Sequence, residues 1–232
     1  MSLFHDLAPI LKKRELRFLE RVEESKGIYT FVFAKGADLA WKAGQHGVFS
    51  ISHKKIKKPA RPFSIASAPS ENTVIISMAI GESPSEFKKA MLELEPGMVL
   101  KMRGPIGSLY LKDNGPSLLI AGGIGITPFR SMLIEEKGKQ GMSVKLLYVD
   151  TKGAFIYKQE LDRLAADSVM ELEYISSREE LYPHLDQSVS TWSNSGNYYI
   201  AGPKALADDV SRHLKANGIV KGNIHKDIFW GY

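Results

Sequence analysis

Cysteine is absent from all 232 residues. Disulfides, cysteine-ligated iron–sulfur clusters and thiol catalysis are therefore excluded. The six histidines are scattered and never reach His-Glu-x-x-His spacing, so no metal site is expected. No apolar run approaches the ~18 residues of a membrane span. Residues 1–20 lack a long apolar run and turn charged by Lys12. That pattern gives no signal peptide, and the cytoplasm is the expected location. No internal repeat or low-complexity tract occurs, and no nucleic-acid-binding motif accompanies the basic residues, so no nucleic-acid partner is expected.

What remains is an ordinary globular composition, 44% hydrophobic and 25% charged, in a chain long enough for two small domains. The formal net charge is +5, and much of the excess is local: Lys54, Lys55, Lys57 and Lys58 fall in one loop. Such a run is either a solvated loop or a surface that steers an acidic partner toward the adjacent Arg61.

The first half reads as strands. Residues 15–22, 28–33, 47–51, 63–66, 73–80 and 99–103 are alternating or β-branched segments bounded by Gly, Pro or Ser. Closely spaced short strands predict an antiparallel barrel or sandwich. One helix, 84–94, interrupts them, with Ser83 as its cap, Pro84 at its first position and Glu86 three residues after the cap. The turn cluster Lys112-Asp113-Asn114-Gly115-Pro116 marks a boundary between domains at 1–112 and 117–232. Beyond it, apolar runs at 117–121, 144–149, 172–175, 198–201 and 224–229 alternate with glycine turns and with helices at 157–166 and 204–217. Buried strands alternating with helices predict a doubly wound parallel sheet.

Five segments carry chemistry. Arg61-Pro62-Phe63-Ser64 offers a cation for phosphate, an aromatic face and a hydroxyl. On a strand, Arg61 and Phe63 share one face and Ser64 takes the other, which also describes a plain strand with one core Phe. Ser83-Pro84-Ser85-Glu86 opens a helix, and a helix start suits a pyrophosphate as well as it suits simple capping. Gly122-Gly123-Ile124-Gly125-Ile126-Thr127-Pro128 follows a buried strand and opens a helix, with Thr127 as expected cap and Pro128 at the first helical position. It departs from the full dinucleotide fingerprint, because Pro128 replaces the third glycine. Ala201-Gly202-Pro203 ends a later strand, and ligands of open α/β sheets bind beyond such ends. Asp227-Ile228-Phe229-Trp230-Gly231-Tyr232 is aromatic, suited to docking on the core or to covering a planar ligand.

In this order the segments resemble the ferredoxin–NADP reductase superfamily, over about residues 15–232. The resemblance implies a six-stranded antiparallel flavin-binding barrel followed by a nucleotide-binding α/β domain. It implies that Arg61 pairs with flavin phosphate, with Pro62 beside it. Phe63 would stack on the isoalloxazine, and Ser64 would hydrogen-bond near its N5. Met78, Ala79 and Ile80 would line the cofactor, and Ser83, Pro84 and Ser85 would bring a helix start to the pyrophosphate. Gly122, Gly123, Thr127 and Pro128, with Ala201, Gly202 and Pro203, would shape the nicotinamide nucleotide pocket. Phe229 looks like the family's C-terminal aromatic, and Asp227 resembles the acidic residue placed near the nicotinamide. Ser64, Asp227 and Phe229 are thus the expected catalytic residues. Ala201 stands where the family often has cysteine.

The expected cofactor is FAD rather than FMN, because the pyrophosphate segment at Ser83–Ser85 is present. The co-substrate is NADPH or NADH. Ser177-Arg178 resembles the pair that holds the 2′-phosphate in NADPH-using members and favours NADPH, whereas Asp150 ends a strand where an acid suits NADH. The resulting expectation is a reductase passing a hydride from NAD(P)H to FAD and electrons to a separate acceptor, a small acidic carrier docking near Lys54–Lys58. Reduction of free flavin or ferric chelates, and a non-catalytic flavin-binding module, are the alternatives.

Overall fold

Alternation decides the first half of the chain. In β1 (Lys13–Ser25) Leu16 and Phe18 are buried while Arg17 and Leu19 face solvent, and in β2 (Ile28–Ala34) Phe31 and Phe33 are fully buried. These residues belong to a computed structural model that describes residues 12–112, 115–137, 143–167 and 170–229. The N-terminal segment through residue 11, Asp113 and Asn114 of the turn cluster, and Trp230-Gly231-Tyr232 lie outside the described residues. The chain divides into two compact units, one ending at Ser108 and the other beginning at Leu109.

The first unit adds β3 (His46–Ser50), β4 (Ala60–Ser64), β5 (Thr73–Ala79) and β6 (Val99–Ile106). Its six strands pair antiparallel in the order β4-β3-β6-β1-β2-β5. Just past β4, the Ala66 N–H donates to the Ile75 carbonyl of β5 at 2.7 Å, which brings the two end strands together and closes the barrel. Its core is Leu16, Phe31, Phe33, Phe49, Leu100 and Met102, lidded by Phe87, Ala90 and Met91 of α1 (Glu86–Leu92). β4 starts three residues earlier than the sequence suggests. Pro62 is tolerated there because β4 ends the paired series, with β3 as its ladder partner.

The helix start is corrected as well. Ser85, not Ser83, caps α1, its Oγ accepting from the Lys88 N–H at 3.4 Å, and Ser83 and Pro84 lie before the helix. With this start Phe87, Ala90 and Met91 fall on one stripe, at i, i+3 and i+4, over the barrel mouth.

The second unit is a five-stranded parallel sheet in the order β11-β10-β7-β8-β9. Its strands are β7 (Ser117–Gly122), β8 (Val144–Val149), β9 (Glu171–Ile175), β10 (Asn197–Pro203) and β11 (Ile224–Phe229). Every residue of β7 and β8 is buried, which is why both read as continuous apolar runs. Helices α2 (Ile126–Glu136), α3 (Lys158–Ala166), α4 (Arg178–Trp192) and α5 (Lys204–Ala216) connect them. Leu181 and Leu185 of α4 and Leu206, Val210 and Leu214 of α5 share one cluster with Leu118, Ile120, Leu147 and Val149 of the sheet. The sequence gives no warning of α4, which carries Pro183 in its interior and four residues of Ser, Thr or His. Burial of Leu181, Leu185 and Ser188 at helical spacing outweighs those poor propensities. Among the described residues no helix is long and apolar enough to cross a membrane.

Leu147 lies on β8, an inner strand of this sheet, with no solvent exposure. Leu147→Ala is expected to lower the stability of the second unit by about 2–5 kcal/mol, read as a drop in urea midpoint at unchanged slope.

Candidate functional site

The strand order of the second unit reverses between β7 and β10, with β8 and β9 on one side and β11 on the other. Ligands of open α/β sheets bind at such a switch point, beyond the carboxyl ends of the strands. Both glycine turns lie there. After β7 the chain makes a 3-10 turn, Gly123–Gly125, and enters α2. The cap of α2 is Gly125, which corrects the expectation for Thr127. Thr127 is instead buried inside the first turn, its hydroxyl donating back to the Ile124 carbonyl at 3.0 Å, and Pro128 is buried beside it. Insertion of the 3-10 turn moves the helix start and turns both side chains inward.

The two turns interlock. A Cβ on Gly125 would lie 2.1 Å from the Ala201 carbonyl oxygen, and one on Gly202 would lie 2.9 Å from the Gly122 oxygen. These glycines let backbone meet backbone. Gly123 differs: it holds φ at +52° and a Cβ there would meet only Asp150 Oδ2, at 3.7 Å. Gly123 is therefore the glycine that opens at the mouth of the crevice, with the carboxylate of Asp150 beside it. Asp150 is anchored by accepting from the Lys152 N–H at 2.8 Å and the Ala154 N–H at 3.4 Å. Just before it, burial pushes the Tyr148 phenol well above its ordinary range, and the Asp150 charge adds to this. On the other flank, Asp227 pairs in register with Ala201 and Phe229 with Pro203. One strand edge thus gathers Gly122, Gly123, Ala201, Gly202, Pro203, Asp227 and Phe229.

Ser177 and Arg178 follow β9, at the same edge of the sheet but beyond β8. Ser177 is the cap of α4, its Oγ accepting from the Glu180 N–H at 3.1 Å. Arg178 donates to Asp209 of α5 at 3.1 Å.

In the first unit, Arg61 and Phe63 share a face of β4, as the strand period requires, and both reach Phe87 of α1. The Phe63 ring stacks on it at 5.6 Å and 28°, and the Arg61 guanidinium lies 6.0 Å from its centroid. Phe63 also meets Phe49 edge-on at 6.1 Å. Ser64 is buried on the other face of the strand, and Pro62 is exposed. Met78 and Ile80 point into the barrel core, and Ala79 between them is half-exposed. Ser83 and Ser85 are exposed at the foot of α1. The Lys57 N–H donates to Glu86 at 3.0 Å, which ties the lysine loop to the same helix start. Arg61, Phe63 and the lysine loop thus all meet the first turn of α1, which Ser83 and Ser85 precede.

Sequence reasoning missed Arg130. It is buried in α2, with Nε 2.6 Å and Nη2 2.8 Å from the two oxygens of Glu160 in α3, and its guanidinium lies 5.0 Å from the Tyr157 ring. The readable signal was a lone arginine in an apolar helix. The bidentate pair fixes α2 against α3 and so steadies the glycine turn that leads into α2.

The two kinds of glycine separate by substitution. Gly125→Ala is expected to destabilise the second unit by about 3 kcal/mol or more, because backbone must move. Gly123→Ala should cost only about 1–2 kcal/mol, for the left-handed conformation. Urea midpoints of the two variants check this.

Comparison with known proteins agrees with this geometry. Residues 119–212 match the oxidoreductase NAD-binding domain family. The protein named "Probable dihydroorotate dehydrogenase B (NAD(+)), electron transfer subunit" of Methanocaldococcus jannaschii is 31% identical over 157 residues, covering 67% of this chain and 54% of that protein. The toluate 1,2-dioxygenase electron transfer component of Pseudomonas putida is 26% identical over 182 residues, covering 73% of this chain and 53% of that protein. The chain therefore spans about half the length of these relatives. A crystal structure of a ferredoxin NADP+ reductase from Neisseria gonorrhoeae with bound FAD and NADP superposes with a TM-score of 0.80 at 19% identity, covering 94% of this chain and 99% of that one. A six-stranded antiparallel barrel followed by a five-stranded parallel sheet, with its switch point at two interlocked glycine turns, gives the chain the fold of that ferredoxin NADP+ reductase, with a match to the oxidoreductase NAD-binding domain family in its second unit.

Proposed function

We propose that the chain is an NAD(P)H-dependent flavoprotein reductase that passes electrons from the nucleotide, through FAD, to a separate small electron-transfer protein. In this reading residues 1–112 hold the flavin and residues 117–232 the nucleotide. The observation that carries it is the pairing of two sites in one chain: a glycine-lined switch-point crevice, and a barrel corner that joins a guanidinium to two exposed hydroxyls. The electron-transfer role of the two sequence relatives, stated in their names, supports the same reading.

The donor set of the barrel corner fits a dinucleotide flavin. Arg61 supplies a cation, and Ser83 and Ser85 supply hydroxyl donors for a diphosphate. A mononucleotide would leave part of this set idle, which favours FAD over FMN. Phe63 is rigid between Phe49 and Phe87 and half-exposed, so it offers a fixed aromatic border for a planar ring. Pro62 and Ala79 would extend that border, while Met78 and Ile80 pack in the barrel core behind it. Bound flavin would supply hydride acceptance and single-electron release, which no side chain of this protein can perform. The protein's own part is orientation. Gly123 would admit a phosphate to the crevice, Gly122 packs against Leu206 and Pro203 behind it, Ala201, Gly202 and Pro203 form its floor, and Thr127 and Pro128 brace it from behind. In the second unit Asp227 and Phe229 would border the nicotinamide end of the nucleotide, and in the first unit Ser64 would hydrogen-bond the flavin. Ala201 contributes no thiol, so hydride transfer here relies on positioning.

The lysine loop suits an acidic carrier. Lys54 is held by Glu93 at 2.8 Å, and Lys55, Lys57 and Lys58 are exposed. A surface of this kind raises association rate more than affinity.

The purified protein, loaded with FAD and mixed anaerobically with NADH or NADPH, should show flavin bands that bleach within seconds. A flavin that binds and does not bleach would leave a non-catalytic module, and a protein that binds neither FAD nor FMN would overturn the assignment. Lys55→Glu with Lys58→Glu should lower the rate with an acidic carrier relative to ferricyanide by about tenfold at low salt, and less at high salt. An unchanged ratio would point to direct reduction of small acceptors.

A further inference from the structure

Arg130 touches both borders of the crevice at the switch point. It is the fifth residue of α2, the helix that the Gly123–Gly125 turn enters. Its guanidinium holds both oxygens of Glu160, in the first turn of α3, at 2.6 and 2.8 Å. The same guanidinium lies 5.0 Å from the ring of Tyr157, the cap residue of α3. Tyr157 in turn ends the loop that begins at Asp150. One side chain thus joins the glycine border to the carboxylate border.

The loop between them is itself firmly held. At its start the Asp150 N–H donates to the Ile175 carbonyl at 3.0 Å, and the Asp150 carbonyl accepts from the Gly153 N–H at 3.1 Å. Asp150 Oδ1 accepts from the Lys152 and Ala154 N–H groups. Phe155 packs against Tyr148 at 5.1 Å and Tyr174 at 4.8 Å, and Ile156 is buried. At the loop's end Tyr157 holds φ at +60°, a left-handed conformation that a tyrosine keeps only when its surroundings hold it. Arg130 beside its ring, and the Leu161 N–H donating to its carbonyl at 2.9 Å, are such surroundings.

Stability alone does not call for this ion pair. The Arg130 side chain is 7% exposed, and desolvating a guanidinium and a carboxylate offsets most of their attraction. Two leucines would join α2 to α3 about as firmly. What a bidentate pair adds is one fixed geometry. The crevice is where a fixed geometry matters. A Cβ on Gly123 would stand 3.7 Å from Asp150 Oδ2, so a small shift of either border changes the opening that a nucleotide enters.

We infer that Arg130 is the positioning residue of the nucleotide crevice: through Glu160 and Tyr157 it sets the Asp150 loop against the Gly123 turn. This rests on the nucleotide reading above and adds to it a buried residue that acts through two others. Lysine at 130 would keep the charge and lose the planar fork, so the two borders would no longer be held at one distance.

The test separates position from stability. The whole protein, loaded with FAD, is titrated calorimetrically with NAD+ and with NADP+, neither of which reduces the flavin. Arg130→Lys should weaken the tighter of the two by about tenfold. Leu185→Ala is the comparison, because Leu185 lies in the apolar cluster of α4, α5 and the sheet, whose described members include none from α2 or α3. It should lower the thermal transition by as much or more and leave the affinity within about twofold. Tyr157→Leu should weaken binding about threefold. It should add little to Arg130→Lys, since both cut one link. An unchanged affinity in Arg130→Lys would overturn the inference, as would an equal loss in Leu185→Ala or fully additive losses in the double variant. Should Arg130→Lys fail to fold, judged by its thermal transition, Tyr157→Leu decides alone. If the unaltered protein binds FAD and neither NAD+ nor NADP+, the nucleotide reading itself falls and takes this inference with it.

Discussion

Two backbone turns of the second unit occupy space that a single methyl group would fill. Gly125 lies against the Ala201 carbonyl, and Gly202 lies against Gly122. This contact holds the carboxyl ends of β7 and β10 together at the point where the sheet reverses its winding. The other features of the crevice follow from it. The 3-10 turn must precede α2, Thr127 and Pro128 must face inward, and Gly123 is left at the mouth beside Asp150. The side chain at position 201 is not part of this contact, because it is the Ala201 backbone that Gly125 approaches. Protein interiors are close-packed, so this arrangement has little room to vary.

The charged groups of the molecule sort by what they are committed to. Arg130 is buried and holds Glu160 through two hydrogen bonds, so it is part of the scaffold. Arg178 and Arg212 share one carboxylate at an exposed corner. Arg61 donates to the Ala60 carbonyl at 2.8 Å and to that of Lys58 at 3.3 Å, two neutral acceptors of its own strand and loop. The arginines differ in what the fold brings beside each guanidinium rather than in residue type.

Much of the fold could be read from the chain. The β1 and β2 alternation, the buried runs of β7 and β8, and the amphipathic pattern of α5 are local signals, each arising from one face meeting one core. Both glycine segments were legible as strand-end turns for the same reason. Other features were not. Ser83 and Ser85 are equally good caps in sequence, and the choice between them is made by Phe87, Ala90 and Met91 meeting the barrel. Helix α4 reads poorly because Pro183 and its polar neighbours oppose it, and only the buried leucines against β8 and β9 secure it. Thr127 has the residue type of a cap, but the preceding 3-10 turn carries it one step into the helix.

The sequence by itself determined the classes of element, their order along the chain, the positions of the glycine turns and the residue types available to a phosphate or an aromatic ring. Those depend on side-chain periodicity and backbone freedom, which are properties of neighbours in the chain. The tertiary structure alone decided which glycines pack against backbone and which one faces Asp150, that Phe63 rests on Phe87, and that Asp209 stands between Arg178 and Arg212. These are contacts between residues up to 80 positions apart, as in Gly202 against Gly122. No local pattern encodes them, because whether a cation is available depends on which distant acid the fold brings to it.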